Sequence, residues 1–126
     1  MTGQVVGLGV DMVDIPRLRD ILGRRPAMAQ RLFSAEELAY AATLVNPAPT
    51  LAGRFAVKEA VMKALGVGLG AVDWVDISVR RLEGGAPELH VGGRAAVLAG
   101  RRGVASWQVS ISHTATMASA TVLALS

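Results

Sequence analysis

One uninterrupted segment, residues 51–66, most constrains what this chain can fold into. It contains no proline, and Gly66 stands where a helix commonly ends, so the segment predicts a single long helix. On a helical wheel, apolar side chains cover nearly the whole circumference, and Ala56, Ala60 and Ala64 form a narrow stripe. Because a helix that is apolar on nearly all sides is buried, another backbone should approach closely along this alanine stripe.

The same helix carries four charged residues, which a buried helix retains only where they are paired, exposed at its rim or bound to a charged partner. These residues are Arg54, Lys58, Glu59 and Lys63. Glu59 and Lys63 share one edge of the helix, so a partly exposed ion pair between them is one explanation. The other is a site for a charged ligand, favoured by the glycine-rich loop at residues 66–70 and by a short strand that delivers Asp11.

The remaining segments predict an α+β fold rather than a doubly wound sheet, because strands and helices do not alternate strictly and hairpins are indicated. Apolar patterning predicts strands at residues 4–13, 74–82, 88–91, 106–113 and 117–125. Start and stop signals predict shorter helices at residues 15–22, 27–32, 35–44 and 93–102. We therefore expect one compact domain over residues 1–126, with a small, mostly antiparallel sheet packed on the long central helix.

Local signals indicate where individual elements begin. Asp14 can cap the first helix, and the Ser-x-x-Glu pattern from Ser34 to Glu37 is a capping box for the third. Thr50 is expected to cap the central helix. In the strand after the glycine loop, alternation places Val75 on the inner face.

The first strand has two very different faces. One carries Gly7 and Gly9, which leave it nearly bare, and then Asp11 at its far end. The opposite face is apolar and consists of Val6, Leu8, Val10 and Met12. Glycine inside a strand often marks close approach by a ligand or another chain, although a weakened edge strand with an exposed terminal Asp11 is the plainer alternative.

Composition excludes several classes of function. The chain of 126 residues is 52% hydrophobic, so it can bury a core. It has no cysteine, which excludes disulfides, thiolate zinc sites and a cysteine nucleophile. It shows neither an apolar run of membrane-spanning length nor a signal-peptide pattern, so we expect a cytoplasmic protein without membrane association.

Positive charge is concentrated near the N-terminus, although the formal net charge is only +3. Five arginines fall in one short span, at Arg17, Arg19, Arg24, Arg25 and Arg31. They form either a solvated helix face or a docking surface for an acidic partner, which could be a nucleic acid or an acidic protein helix. Few aromatic residues are available to stack on bases, which argues against single-strand binding.

A candidate site combines residues from three segments. Asp11 and Glu59 are hard oxygen ligands, and two carboxylates with water and phosphate oxygens in the remaining positions are typical of Mg²⁺. Lys63 could neutralise a phosphate, and the loop at 66–70 could direct backbone amides to one, unless it is only a helix end followed by a turn. His113, which closes an apolar strand, is weak evidence and more often structural. Together these residues indicate a metal-assisted reaction at a phosphate.

Three segments resemble the holo-acyl-carrier-protein synthases, the small class of 4′-phosphopantetheinyl transferases. They are residues 7–17 (GLGVDMVDIPR), residues 54–66 (RFAVKEAVMKALG) and residues 109–113 (VSISH). Residues 33–40 (FSAEELAY) are similar to the family segment that lies between the first two. Their order, their spacing and the total length all fit, so the resemblance covers essentially the whole chain and implies the 4′-phosphopantetheinyl transferase fold.

The resemblance implies that the phosphopantetheine arm of coenzyme A is moved to a serine of apo-acyl carrier protein, with release of adenosine 3′,5′-bisphosphate. Asp11 and Glu59 match the magnesium ligands, and Lys63 matches a lysine on the pyrophosphate. Glu59, directly or through a water, would accept the serine proton. The coenzyme A site would be formed by Arg54, Lys63, Gly66, Gly68, Pro87, His113 and Thr114.

The resemblance also implies partners. Family members are trimers with coenzyme A bound between subunits, so a neighbouring subunit would approach the bare glycine face and the alanine stripe. Arg17, Arg24 and Arg25 would dock the acidic helix of the carrier protein. One departure is the absence of charge from residues 41–53, where relatives often carry basic residues, so another arginine would have to hold the nucleotide phosphate.

Two other functions use parts of the same pattern. A basic binding module for nucleic acid or an acidic protein, without catalysis, would need the arginine-rich helix but not Asp11, Glu59 or Lys63. A magnesium-dependent nucleotide hydrolase would need those three residues but no carrier protein.

Overall fold

The computed structural model describes residues 3–126. Within them the strands are β1 (Val5–Asp14), β2 (Ile77–Arg81), β3 (Pro87–Val91), β4 (Ser106–His113) and β5 (Met117–Leu125). The α-helices are α1 (Ile15–Arg24), α2 (Ala27–Leu32), α3 (Ala35–Ala42), α4 (Ala48–Leu65) and α5 (Gly93–Arg101). In this part of the chain, no helix is both long and apolar enough to cross a membrane.

The strands form two antiparallel sheets. The larger has the order β1-β5-β4, and the smaller is the β2–β3 hairpin. In the larger sheet Asp11 lies opposite Ala120, which in turn lies opposite Ile111. The α+β class and the antiparallel sheet packed on the central helix are therefore confirmed.

Helix α4 is the centre of the core, as the sequence predicts. Its apolar residues contact the inner face of the larger sheet, where alternate residues of β5 are fully buried. These β5 residues are Ala118, Ala120, Val122 and Ala124. Small side chains on both elements allow the helix and the sheet to pack closely over their whole contact.

The closest contact in the core is between the β1 backbone and α4. A Cβ atom at Gly9 would lie 1.8 Å from the carbonyl oxygen of Ala60, and one at Gly7 would lie 2.3 Å from that of Ala64. The bare strand face and the alanine stripe thus meet within one chain. The expectation that another subunit approaches them is wrong, because the chain's own helix covers the glycines.

The opposite face of β1 leaves an apolar stripe in contact with solvent. Val6, Leu8, Val10 and Met12 are 46%, 59%, 49% and 62% exposed. Four large apolar side chains on one strand face are more than the scattered exposed residues of an ordinary surface, and such a patch commonly marks an interaction site.

The helix starts agree with the sequence in two places and differ in one. The side chain of Asp14 accepts a hydrogen bond from the Arg17 amide, and Ser34 and Glu37 form the reciprocal capping box. Helix α4, however, begins at Ala48 after Pro47, so Thr50 lies inside its first turns and does not cap it. The cause is the fixed backbone angle of proline, which suits the start of a helix.

The segment predicted as a strand from residue 74 begins later. Trp74–Asp76 is a 3₁₀ turn, in which the Asp76 carboxylate accepts a hydrogen bond from the Asp73 amide at 3.3 Å. The turn leaves Val75 44% exposed, so its predicted inward position is wrong. Ile77 and Val79, which follow in β2, are buried as predicted.

Replacing Gly9 with alanine should destabilise the fold strongly. The added Cβ would collide with a backbone carbonyl that cannot move without displacing α4. We expect the free energy of unfolding to fall by about 3 kcal/mol, at the upper end of typical overpacking costs, measured by urea denaturation.

A matched control is Gly100→Ala within α5, where an added Cβ atom would meet nothing within 4 Å apart from the backbone of its own helix. Because alanine favours helix over glycine, this variant should be more stable by about 0.5–1 kcal/mol. Equal stability of Gly9→Ala and the parent chain would contradict the close contact.

Candidate active site

Two carboxylates from different elements lie in one groove. Because β1 lies directly on α4, Asp11 at the end of the bare strand face comes next to Glu59 on the helix. The groove has a volume of about 440 Å³, and its walls include Arg17 from α1, Phe55 from α4 and the side chain of Met117. We call it the carboxylate groove.

Lys63 binds the strand rather than its neighbour on the helix. Its ammonium group lies 3.1 Å from Oδ1 of Asp11 and donates to the carbonyl oxygen of Val10 at 2.9 Å. Within the described residues it forms no ion pair with Glu59, so the simple pair along one helix edge is wrong. About half of the Lys63 side chain is exposed, which leaves it accessible to a ligand.

The environment of Glu59 disfavours its negative charge. Burial raises the pKa of Glu59, and the nearby Asp11 carboxylate raises it further, while Lys63 acts in the opposite direction. A bound cation would relieve the repulsion between these two carboxylates.

The residues present fit a magnesium ion. Within residues 3–126, there is no group of three or more His, Cys, Asp or Glu side chains that could enclose a metal ion by itself. A metal bound by protein side chains here would therefore keep waters or substrate oxygens among its ligands. Asp11 and Glu59 would be the two protein ligands, and Mg²⁺ characteristically combines one or two carboxylates with waters and substrate phosphates.

Arg54 lies in a different groove from the two carboxylates. Its side chain stacks on the ring of Tyr40, with the guanidinium carbon 5.0 Å from the ring centroid. Arg54, Tyr40 and Pro87 line a groove of about 290 Å³ together with Thr50 and with residues of β2. We call it the arginine groove. In a single chain, therefore, the structure does not bring Arg54 and Pro87 together with Asp11 and Glu59.

The other residues assigned to coenzyme A lie at the ends of elements, outside both grooves. Gly66 ends α4 with the left-handed φ of 69°, and Gly68 follows in open space. His113 and Thr114 are exposed at the end of β4. The Thr114 hydroxyl accepts a hydrogen bond from the Met117 amide at 3.1 Å, which orders the turn into β5.

The arginines that the sequence predicts to dock a carrier protein extend from the carboxylate groove along α1. Arg17 lines that groove, whereas Arg24 and Arg25 line a neighbouring surface groove of about 340 Å³ with Ile21 and Met28. Arg24 also forms an ion pair with Asp20. A positive surface therefore begins at the two carboxylates and continues along the first helix.

A buried ion pair was missed by the sequence analysis. Lys58 is fully buried on α4 and lies 2.8 Å from Oε1 of Glu37 on α3. Lys58 also donates to the carbonyl oxygens of Trp74 (3.0 Å) and Ile77. The signal was present: a lysine in a buried helix requires an acidic partner, and the capping box offered Glu37.

Comparison with known proteins agrees with this geometry. Residues 7–123 match the family model of the 4′-phosphopantetheinyl transferase superfamily. The chain therefore belongs to the 4′-phosphopantetheinyl transferase superfamily, and the resemblance to the holo-acyl-carrier-protein synthases within it is confirmed.

Individual relatives match over nearly their whole length. The chain is 44% identical to the holo-[acyl-carrier-protein] synthase of Moorella thermoacetica over 91% of this chain and 90% of that protein. The holo-[acyl-carrier-protein] synthase structure from Neisseria meningitidis superposes with a TM-score of 0.87 at 31% identity, covering 96% of this chain and 98% of the other. The Bacillus anthracis enzyme in complex with CoA (3′,5′-ADP) has a TM-score of 0.81 at 31% identity, covering 97% of both chains.

Asp11→Asn should lower the pKa of Glu59. The variant removes the negative charge that raises this pKa and leaves the opposing effect of Lys63 in place. The measurement is a carbon-13 NMR titration of the glutamate side chains in metal-free buffer with EDTA. Because the raised pKa keeps Glu59 protonated to higher pH, Mg²⁺ should bind the parent chain more weakly as the pH falls through that pKa.

The amide spectrum of the variant serves as the control for the fold and should change only around the carboxylate groove. If the pKa of Glu59 is the same in the parent chain and in Asp11→Asn, the two carboxylates do not interact and the paired site is disproved.

Proposed function

We propose that the chain transfers the 4′-phosphopantetheine group of coenzyme A to a serine of apo-acyl carrier protein, releasing adenosine 3′,5′-bisphosphate. The observation that carries the proposal is that Asp11, which pairs with Lys63, lines one groove with Glu59, and that the wall of this groove continues into the positive surface of α1. The named relatives and their coenzyme A complex support the same reaction. The proposal includes dependence on Mg²⁺ and a cytoplasmic location.

Each residue of the carboxylate groove has a defined part in this proposal. The serine hydroxyl attacks the β-phosphate of coenzyme A, and Glu59, directly or through a water, accepts the hydroxyl proton. Lys63 is half-exposed and binds the pyrophosphate, where it stabilises the leaving charge. A magnesium ion held by Asp11 and Glu59 would supply charge neutralisation at the same phosphates.

The separation of the two grooves supports a site shared between subunits. Arg54 and Pro87 line the arginine groove, apart from Asp11 and Glu59, and in the proposed assembly coenzyme A contacts the carboxylate groove of one copy and the arginine groove of another. The exposed apolar stripe formed by Val6, Leu8, Val10 and Met12 offers a surface for such assembly. We propose a homotrimer in which Gly66, Gly68, His113 and Thr114 complete the coenzyme A site.

The surface of α1 suits the second substrate. Arg17 lies in the wall of the carboxylate groove, and Arg24 and Arg25 extend the positive charge away from it. A carrier protein whose acidic helix contacts this surface would hold its serine next to the two carboxylates. Contacts of this kind accelerate association and weaken with salt.

Transfer should depend on both carboxylates and on magnesium. With coenzyme A and Mg²⁺, apo-acyl carrier protein should gain the mass of one phosphopantetheine arm, and EDTA should prevent the gain. Asp11→Asn and Glu59→Gln should each reduce the rate by at least about 10²-fold, a typical loss for a positioned acid–base group. Intact-mass spectrometry measures this directly.

Glu88→Gln is the matched control, because Glu88 is exposed on β3 and lines neither groove. It should retain full activity. A parent chain that binds several apo-carrier proteins without modifying them favours the binding-module alternative, whereas consumption of coenzyme A without a carrier protein favours the hydrolase.

Arg17→Glu should impair carrier-protein use while sparing coenzyme A. We expect the KM for carrier protein to rise about tenfold or more, because a like charge replaces a complementary one at the docking surface. Arg101→Glu makes the same charge reversal on α5, outside both grooves, and should change neither KM. An unchanged KM for carrier protein in Arg17→Glu would remove the docking role of α1.

Leu8→Glu should dissociate the assembly. Light scattering after gel filtration should give three times the monomer mass for the parent chain and one monomer mass for the variant, since a charge cannot be buried in an apolar interface without a partner. Val97→Glu, on the exposed face of α5, should remain trimeric. A monomeric parent chain that is fully active would refute the shared site.

A further inference from the structure

The arginine groove is built around Tyr40 of α3. The guanidinium group of Arg54 stacks on one face of the Tyr40 ring, and Arg81 of β2 donates to the Tyr40 hydroxyl at 3.0 Å. Two positive side chains from different elements are thus attached to one tyrosine. Both line the groove that also contains Thr50 and Pro87.

Arg54 lacks the hydrogen-bond partner that a buried guanidinium requires. The residue is only 7% exposed, and its Nε atom is buried with no hydrogen-bond partner. The carboxylate of Glu37 acts electrostatically on Arg54 but already has other partners, because Oε1 pairs with Lys58 and Oε2 accepts from the Val79 amide at 3.0 Å. Unsatisfied buried polar atoms are rare in native structures, and an anion bound beside the Arg54 guanidinium would compensate for this one.

Arg81 adds a second uncompensated charge. No carboxylate among residues 3–126 forms an ion pair with Arg81, whereas the adjacent Arg80 pairs with Glu36 at 3.4 Å. Burial lowers the pKa of Arg54, Glu37 and Tyr40 act in the opposite direction, and the positive charge of Arg81 makes a smaller lowering contribution. Two guanidinium groups held close together in this way are complementary to a doubly charged anion.

We propose that Arg81, together with Arg54, binds a phosphate monoester dianion, and that this is the 3′-phosphate of coenzyme A. This assignment of Arg81 rests on the proposed function. The pyrophosphate is the anion placed at the carboxylate groove, so the 3′-phosphate is the remaining charged group of coenzyme A. Residues 41–53, which lead into α4, contain no charge, so β2 provides the cation. Tyr40 is a positioning residue that holds both guanidinium groups.

A comparison of coenzyme A with 3′-dephospho-coenzyme A tests whether Arg81 binds the 3′-phosphate or supports activity in some other way, because the two compounds differ only in that phosphate. Arg81→Ala should lower kcat/KM for coenzyme A by about 10- to 100-fold, the range expected for charge-assisted hydrogen bonds, and leave that for the dephospho compound within about twofold. Tyr40→Phe keeps the ring and removes the hydroxyl that orients Arg81. It should lower kcat/KM by about threefold, again only for coenzyme A.

Arg101→Ala is the matched control, since it removes an exposed arginine of α5 that lines neither groove. It should leave the preference for coenzyme A intact. The assignment of Arg81 would be overturned by equal losses with both donors in Arg81→Ala, by no loss with either donor, or by loss of the preference in Arg101→Ala instead.

Calorimetry measures the binding of nucleotides to the chain and does not depend on the transfer reaction. Adenosine 3′,5′-bisphosphate should bind the parent chain at least about tenfold more tightly than adenosine 5′-monophosphate, and Arg81→Ala should abolish the difference. If the parent chain transfers nothing yet shows this preference, the proposed reaction fails and the phosphate site stands. If it shows no preference, the phosphate site is disproved whether or not transfer occurs.

Discussion

The contact between the β1 backbone and α4 determines where Asp11 lies relative to Glu59 and Lys63. Only a residue without a side chain allows the strand to approach the Ala60 carbonyl so closely at Gly9. Asp11 follows on the same strand face, so the first side chain beyond the contact extends next to Glu59 and Lys63. Burial is the main cause of the raised pKa of Glu59, and this approach of Asp11 raises it further.

The buried pair of Lys58 and Glu37 has the corresponding role on another side of α4. It joins the helix to α3, to the turn at Trp74 and to β2. Tyr40 follows Glu37 on α3 by about one helical turn, so the pair also fixes the position of the ring that holds Arg54. Removing one partner of such a pair generally costs about 3–5 kcal/mol, because the other charge is left buried and alone.

Much of the fold was predictable, because it follows from local patterns. The apolar circumference of residues 51–66 indicated a buried helix, and glycines before Asp11 indicated a close approach. The sequence did not reveal that the approaching element is the chain's own helix, since this depends on which distant segments pack together. For the same reason, the sequence could not show that Lys63 pairs with Asp11 or that there are two separate grooves.

Helix α4 is apolar on nearly every side, so burial of its surface does not select one rotation about its axis. Its rotation is set instead by the alanine stripe against β1 and by the bonds of Lys58. Arg54 and Glu59 both lie on α4, so a small rotation of this helix about its axis would displace both side chains at once. The arginine groove and the carboxylate groove are thus coupled through α4, and neither can be reshaped by moving this helix without a matching adjustment in the other.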